Sequence, residues 1–260
     1  MTLQESSATL PVERRLRFDW VFPAIFRPRA TFAAIAAQAI SVWLAPMLIL
    51  TVFAVARSLV TGSVTASTIS AVQFQPPPAE RSDVPPEQAQ QFQQGQSLAA
   101  NPLFIYVFPT LLSAAGVWLG WLLVGWLLHL LLTLFGGRGN TRSALNVVAW
   151  ASLPFALRDL VRIGYMLIAH SLIGHPGLAG FAPEGPGVLN ACLLSVFGQV
   201  DLYILWQAVL IGLGVRVAEQ LPRARAFSGA VVTVLLIMAL RAIPGTLGAV
   251  FGAVASGGGF

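Results

Sequence analysis

Five apolar stretches divide this chain: residues 40–60, 103–135, 145–170, 189–215 and 228–251. Each is about as long as, or longer than, the ~20 residues a helix needs to cross the hydrocarbon core of a bilayer. The pattern predicts an all-α, polytopic membrane bundle of five transmembrane helices. The second stretch would reach roughly 50 Å as one straight helix at ~1.5 Å per residue, too long for an upright span and too short for two. It reads as a tilted helix with an interfacial extension, bent or started at Pro109, which lacks a backbone donor. Trp118, Trp121 and Trp126 then fall inside the hydrocarbon and read as packing residues.

Residues 22–39 are apolar but interrupted by Pro23, Arg27, Pro28 and Arg29. Pro28 suits the first position of a helix, and Phe32 and Ile35 share one face of it. This segment reads as a short interfacial helix with Arg27 and Arg29 near headgroup phosphates. Residues 61–102 form a polar external loop, rich in Pro and Gln. Pro76 and Pro78 bound an extended stretch. Asp83 starts a short helix as its N-cap, with Pro85 and Pro86 in the first turn and an end at Asn101-Pro102. The chain thus divides into a tail and interfacial helix (1–39), a membrane domain (40–251) and a C-terminal tail (252–260).

Composition fixes the solvent. The 260 residues are 56% hydrophobic and 10% charged, where soluble domains carry about 25% charge. All fifteen basic residues are arginine, and their distribution sets the orientation. The N-terminal tail holds Arg14, Arg15, Arg17, Arg27 and Arg29, the loop near 136–144 holds Arg138 and Arg142, and the loop of 216–227 holds Arg216, Arg223 and Arg225. The intervening loops hold only Arg81, beside three acids. Positive loops stay cytoplasmic, so the N-terminus is expected inside and the C-terminus outside. Arg57 is the exception, read as snorkelling from near the outer end of the first span. No cleavable leader is evident, since the first long apolar run starts too far in. The net charge of +5 is accounted for by this bias and by lipid headgroups, with no nucleic-acid motif.

Catalytic motifs of soluble enzymes are missing from the sequence, and no cofactor is expected. Gly136-Gly137-Arg138-Gly139-Asn140 lacks the lysine of a phosphate-binding loop and reads as a helix end and tight turn. Cys192 reads as a packed apolar residue. His129 lies in one half of the second span, away from His170 and His175, so no metal site follows. Gly116-x-x-x-Gly120 and Gly248-x-x-x-Gly252 suggest close helix packing, and Pro154 and Pro244 suggest kinks.

The ionisable residues inside spans stand out: Arg158, Asp159, Arg162, Asp201 and Arg241. Their expected depths put them in one slab of the membrane. Asp159 and Arg162, three apart, are placed to pair along their own helix, which leaves Asp201 for Arg158 or Arg241 across helices. Two readings stand side by side. In one, the pairs fix helix register. In the other, they line a water-filled cavity whose arginine surplus favours an anion.

Phe26-Arg27-Pro28-Arg29-Ala30-Thr31-Phe32 resembles the start of the bacterial branch of the Ypt-interacting protein (Yip) family. Asp201-Leu202-Tyr203-Ile204-Leu205-Trp206, followed by Leu213-Gly214, resembles that family's fourth-span pattern, and Pro154 falls where its members tend to carry a proline. The similarity runs from about residue 20 to 250. It implies five spans and a cytoplasmic N-terminus, in agreement with the arginine count. Eukaryotic members are linked to Rab GTPases and vesicle traffic, but the long cytoplasmic tail and Asp-Leu-x-Gly-Pro-type segment of those members are missing here. Some bacterial members resemble accessory proteins of ABC-type exporters.

The expected function is a non-enzymatic scaffold or accessory protein of the plasma (inner) membrane, with an ABC-type export or envelope stress complex as its expected setting. Its expected partners are membrane lipids and other membrane proteins, including exporter components. The alternative is a small transporter or channel for an ion or anionic solute, lined by Arg158, Asp201 and Arg241.

Overall fold

The computed structural model describes residues 15–73, 100–183 and 187–255. The expected helix start at Asp83 and the proline-rich stretch around 76–78 lie outside these. All regular elements among the described residues are helical. A short N-terminal part comprises a 3-10 turn (Phe18–Trp20), α1 (Val21–Phe26) and α2 (Pro28–Ala36). Pro28 opens α2, where its missing N–H costs no intrahelical bond. Phe32 and Ile35 are both buried, so the helix turns its apolar face into the protein and not only toward an interface.

Next come α3 (Leu44–Gln73), a π-helical turn (Leu103–Val107) running into α4 (Phe108–Leu134), α5 (Thr141–Ala151), α6 (Leu153–Ala169), α7 (Val188–Phe197), α8 (Leu202–Ala218) and α9 (Arg223–Ala255). Four helical segments are long and apolar enough to cross a membrane: Leu44–Ser70, Leu103–Leu134, Thr141–Ala169 and Arg223–Phe251. The bent pair α7 and α8 makes a fifth when taken together, with 62° between its halves.

Three elements differ from the sequence reading. The first span does not end at Val60. Its polar continuation stays helical, and the Thr61, Thr65, Thr68 and Ser70 hydroxyls each donate to a carbonyl four residues back, which satisfies them without solvent. Arg57 therefore sits at the midpoint of Leu44–Ser70, not near an end. The third span is divided at Ser152, and Pro154 lies in the first turn of α6 instead of kinking its interior. Pro244 does lie inside α9.

The fourth apolar stretch is broken at residues 198–201. Carbonyls freed by such a break need partners in a low-dielectric setting, and a short segment supplies them. The Leu178 N–H donates to Phe197 O and Val200 O, both at 3.0 Å. Gly177 adopts φ +60, and a Cβ there would meet Val200 O at 2.6 Å, so this approach requires glycine. Gln199 Nε2 donates to Ser195 O and Met238 O, which staples the break to α9.

The core lies where α2, α5 and α8 meet α3, α4 and α9. Asn146 Oδ1 accepts from Val42 N at 3.1 Å, and Trp150 Nε1 donates to Val42 O at 3.1 Å. These two side chains of α5 thus satisfy both backbone groups of a residue that precedes α3. Trp43, Trp118 and Trp121 form a ring cluster, and Trp121 Nε1 donates to Leu145 O. Trp126, expected to pack, is 60% exposed on the outer face of α4. The loop after α4 turns at Gly136, φ +84, and Glu219 accepts from the Gly139 N–H.

Candidate functional site: an intramembrane charge network beside a cavity

The polar heart of the bundle is built from four elements. Arg57 comes from the middle of α3, Arg158, Asp159 and Arg162 from α6, Asp201 from the start of α8, and Arg241 from α9. A charge at the centre of a bilayer costs about 2.5–3.5 kcal/mol on insertion scales, so partners decide whether such residues are tolerated.

Asp159 is buried and lies with Oδ1 3.2 Å from Arg57 Nε and 3.8 Å from Arg158 Nε. These three buried atoms are in ion-pair range but lack hydrogen-bond geometry. Asp201 Oδ2 lies 3.6 Å from both Arg158 Nη1 and Arg162 Nη2. Its other oxygen, Oδ1, accepts from the Tyr203 and Ile204 N–H groups at 3.0 Å each. Asp201 is therefore the N-cap of α8, satisfying donors that a helix start leaves free. The Arg158 guanidinium also stacks over Phe155, 4.4 Å from the ring centroid.

This wiring corrects two expectations. Asp159 does not pair with Arg162 along α6. It reaches across to Arg57, whose mid-span position makes that contact available. Asp201 is not inside a continuous helix; of its two expected partners it meets Arg158 and not Arg241, and it meets Arg162 as well. Among the described residues Arg241 has no hydrogen bond or ion pair.

The network borders a cavity of about 340 Å³ lined by Arg57, Arg158, Asp159 and Arg241 together with Ser152, Gln207 and apolar residues of α3 and α4. Gln207 Nε2 donates to Ser152 Oγ at 2.8 Å, and Ser152 Oγ donates to Val148 O at 2.7 Å. Both side chains are buried. Gly116 and Gly120 line the same space. No neighbouring atom stands within 4 Å of a Cβ at Gly116, and Arg241 Nη2 would lie 3.3 Å from one at Gly120. These glycines leave room for the cavity and the arginine and do not bring two backbones together. Gly248 likewise faces open space. A second cavity, about 230 Å³, lies on the other side of Arg57 and is lined by Thr61, Arg162, Met166 and the 172–176 segment.

Close packing falls instead at Gly214. A Cβ there would meet Val147 Cγ1 at 2.7 Å and Phe32 at 3.0 Å, so α2, α5 and α8 meet through that missing side chain. Phe32 and Gly214 belong to the two sequence patterns that resemble the Yip family, and the structure brings them into contact. Arg27, at the start of α2, accepts from Thr31 Oγ1 through its carbonyl, and Trp206 packs partly buried against the core. A family model, the Yip1 domain, matches residues 23–243.

The chain belongs to the Yip1 family.

Among curated proteins and among solved structures, no match is found. The Yip1 match spans α1 through the middle of α9 and so takes in every member of the charge network. Arg57, Ser152 and Gln207 escaped the sequence reading as site residues. A usable signal existed for Gln207, an amide standing alone in the apolar run of α8. His129 is half-buried in α4, far along the chain from His170 and His175 at the opposite end of α6.

Proposed function

We propose that this Yip1-domain chain is a non-enzymatic scaffold or accessory protein of the plasma membrane, with five spans when the bent α7–α8 pair is counted as one and with the N-terminus cytoplasmic. The observation that supports this reading is how the charges are used. Arg57–Asp159 joins α3 to α6, and the two pairs at Asp201 join α6 to α8. Polar groups that contact mainly one another fix register between helices. Outside them the helices present exposed apolar side chains such as Leu119, Trp126, Leu160 and Ile168, a surface for lipid and for other membrane proteins. The finer assignment, an accessory role in an ABC-type exporter or an envelope stress complex, draws on the likeness to bacterial Yip members.

The test is isolation of the chain from native membranes after mild cross-linking. A scaffold runs as a complex with defined membrane proteins, and Asp201→Asn weakens that assembly. Migration as a free monomer under all conditions counts against it. A second reading, a small transporter or channel for an anionic solute, draws support from the unpaired Arg241 beside a cavity. It requires solute flux in proteoliposomes that Arg241→Ala abolishes while the fold survives.

A further inference from the structure

We propose that the cavity between α3, α4, α6 and α9 binds the anionic head group of a membrane amphiphile, admitted sideways between α4 and α9. Arg57, Arg158 and Arg241 hold the head group.

The charge balance comes first. Four guanidinium groups, on Arg57, Arg158, Arg162 and Arg241, face two carboxylates. Asp201 is fully engaged: one oxygen serves Arg158 and Arg162, the other caps α8. Asp159 is shared between Arg57 and Arg158. Arg241 is left without an anion among the described residues, and the buried Nε–H groups of Arg57 and Arg158 donate to no hydrogen-bond acceptor. The site therefore offers cationic donors that the protein itself does not satisfy, around a space large enough for a ligand. Phosphate or carboxylate is the chemistry that planar guanidinium groups recognise.

The shape of the opening selects an amphiphile over a free ion. Leu112, Gly116 and Arg241 line the cavity and are exposed, so the space opens on the flank of the bundle. Gly116 and Gly120 straddle the midpoint of Leu103–Leu134, and Arg241 lies one turn from the midpoint of Arg223–Phe251. The opening thus faces the level where acyl chains lie. The wall beside it is apolar, with Leu112, Val117 and Val124 of α4. Charge inside and apolar surface at the mouth match a molecule with a charged head and a hydrocarbon tail. The smaller cavity beyond Arg57 reaches the surface near Leu172, half exposed, and is the route a water-borne anion would take instead.

The inference goes beyond the scaffold reading and holds whether or not a solute crosses. The full chain is reconstituted in phosphatidylcholine vesicles with and without phosphatidic acid, extracted gently and weighed intact by native mass spectrometry. One phosphatidic acid per chain is expected to be retained over phosphatidylcholine, with a raised melting temperature. Arg241→Ala is expected to weaken retention about tenfold, the loss of one strong contact. Gly116→Leu tests the mouth without touching a charge. A Cβ there meets no neighbour within 4 Å and leucine favours the helix, so the fold should melt no lower than the parent while retention falls. Arg138→Ala, in a surface loop, should change nothing. Equal retention by the parent, Arg241→Ala and Gly116→Leu overturns the proposal, since the lipid is then merely peripheral. Stabilisation by inorganic phosphate alone, with none from phosphatidic acid, also overturns it and assigns the site to a free anion entering past Arg57.

Discussion

Arg57 Nε and Asp159 Oδ1 stand 3.2 Å apart, joining the middle of α3 to α6 and forming part of the wall of the larger cavity. Asp159 is buried and Arg57 half-buried, so removing Arg57 leaves a buried carboxylate short of a counter-charge, which destabilises, whereas replacing both by apolar residues is often neutral. Arg57→Leu and Asp159→Leu should each lower the unfolding midpoint in detergent markedly. The double variant should recover most of the loss. Additive losses would mean that the two side chains act independently.

Asp201 has two tasks that substitution separates. Asn keeps a side-chain acceptor for the Tyr203 and Ile204 N–H groups but removes the charge facing Arg158 and Arg162. Ala removes both and should be worse than Asn by about 1 kcal/mol, the usual value of an N-cap. Thermal melting of the two variants gives the difference directly.

Glycine has opposite meanings at two positions. Gly214→Ala places a methyl against Phe32 and Val147 and should destabilise by about 1–3 kcal/mol through overpacking. Gly116→Ala meets open space and should stabilise by up to about 1 kcal/mol through helix propensity. Denaturant titration of both in one detergent compares them.

Asn146→Leu removes the acceptor of the buried Val42 N–H. An orphaned donor costs about 1–3 kcal/mol, and amide exchange at Val42 and Trp43, just ahead of α3, should accelerate before α3 itself loosens. Uniform exchange along α3 would place its anchor elsewhere.

Orientation is open to direct measurement in a Cys192→Ala background. A cysteine at Thr141, beside the Arg138–Arg142 loop, should react with an impermeant reagent only after the membrane is opened. A cysteine at Ser171 should react in intact cells. The reverse pattern would invert the topology inferred from the arginines.

Hydropathy made the spans legible because each apolar run maps to a helix or helix pair, and Pro28 marked the start of α2. It misplaced Arg57 because a scale of side-chain polarity ends a span at Thr61, while the helix continues and its hydroxyls are satisfied by carbonyls four residues back, bonds that no such scale counts. The break at 198–201 hid inside an apolar run, although Gly198, Gln199 and an acid ahead of Leu202 together spell a helix end followed by an N-cap. The members of the charge network other than Arg57 were legible one by one. Their wiring was not, since Asp159 chooses Arg57 over Arg162 only once α3 and α6 pack. The small-residue spacing at Gly116 and Gly120 says that no side chain stands there, and only the neighbours reveal whether another helix or empty space takes its place.

The break between α7 and α8 bears on how the chain is made. Neither Val188–Phe197 nor Leu202–Ala218 has an unbroken helical ladder across the hydrocarbon, and Asp201 sits at their joint. The acid's counter-charges, Arg158 and Arg162, lie on α6, which leaves the ribosome earlier. Synthesis in this order means that two guanidinium groups are already made when the carboxylate emerges, while α9, to which Gln199 ties the break, follows afterwards.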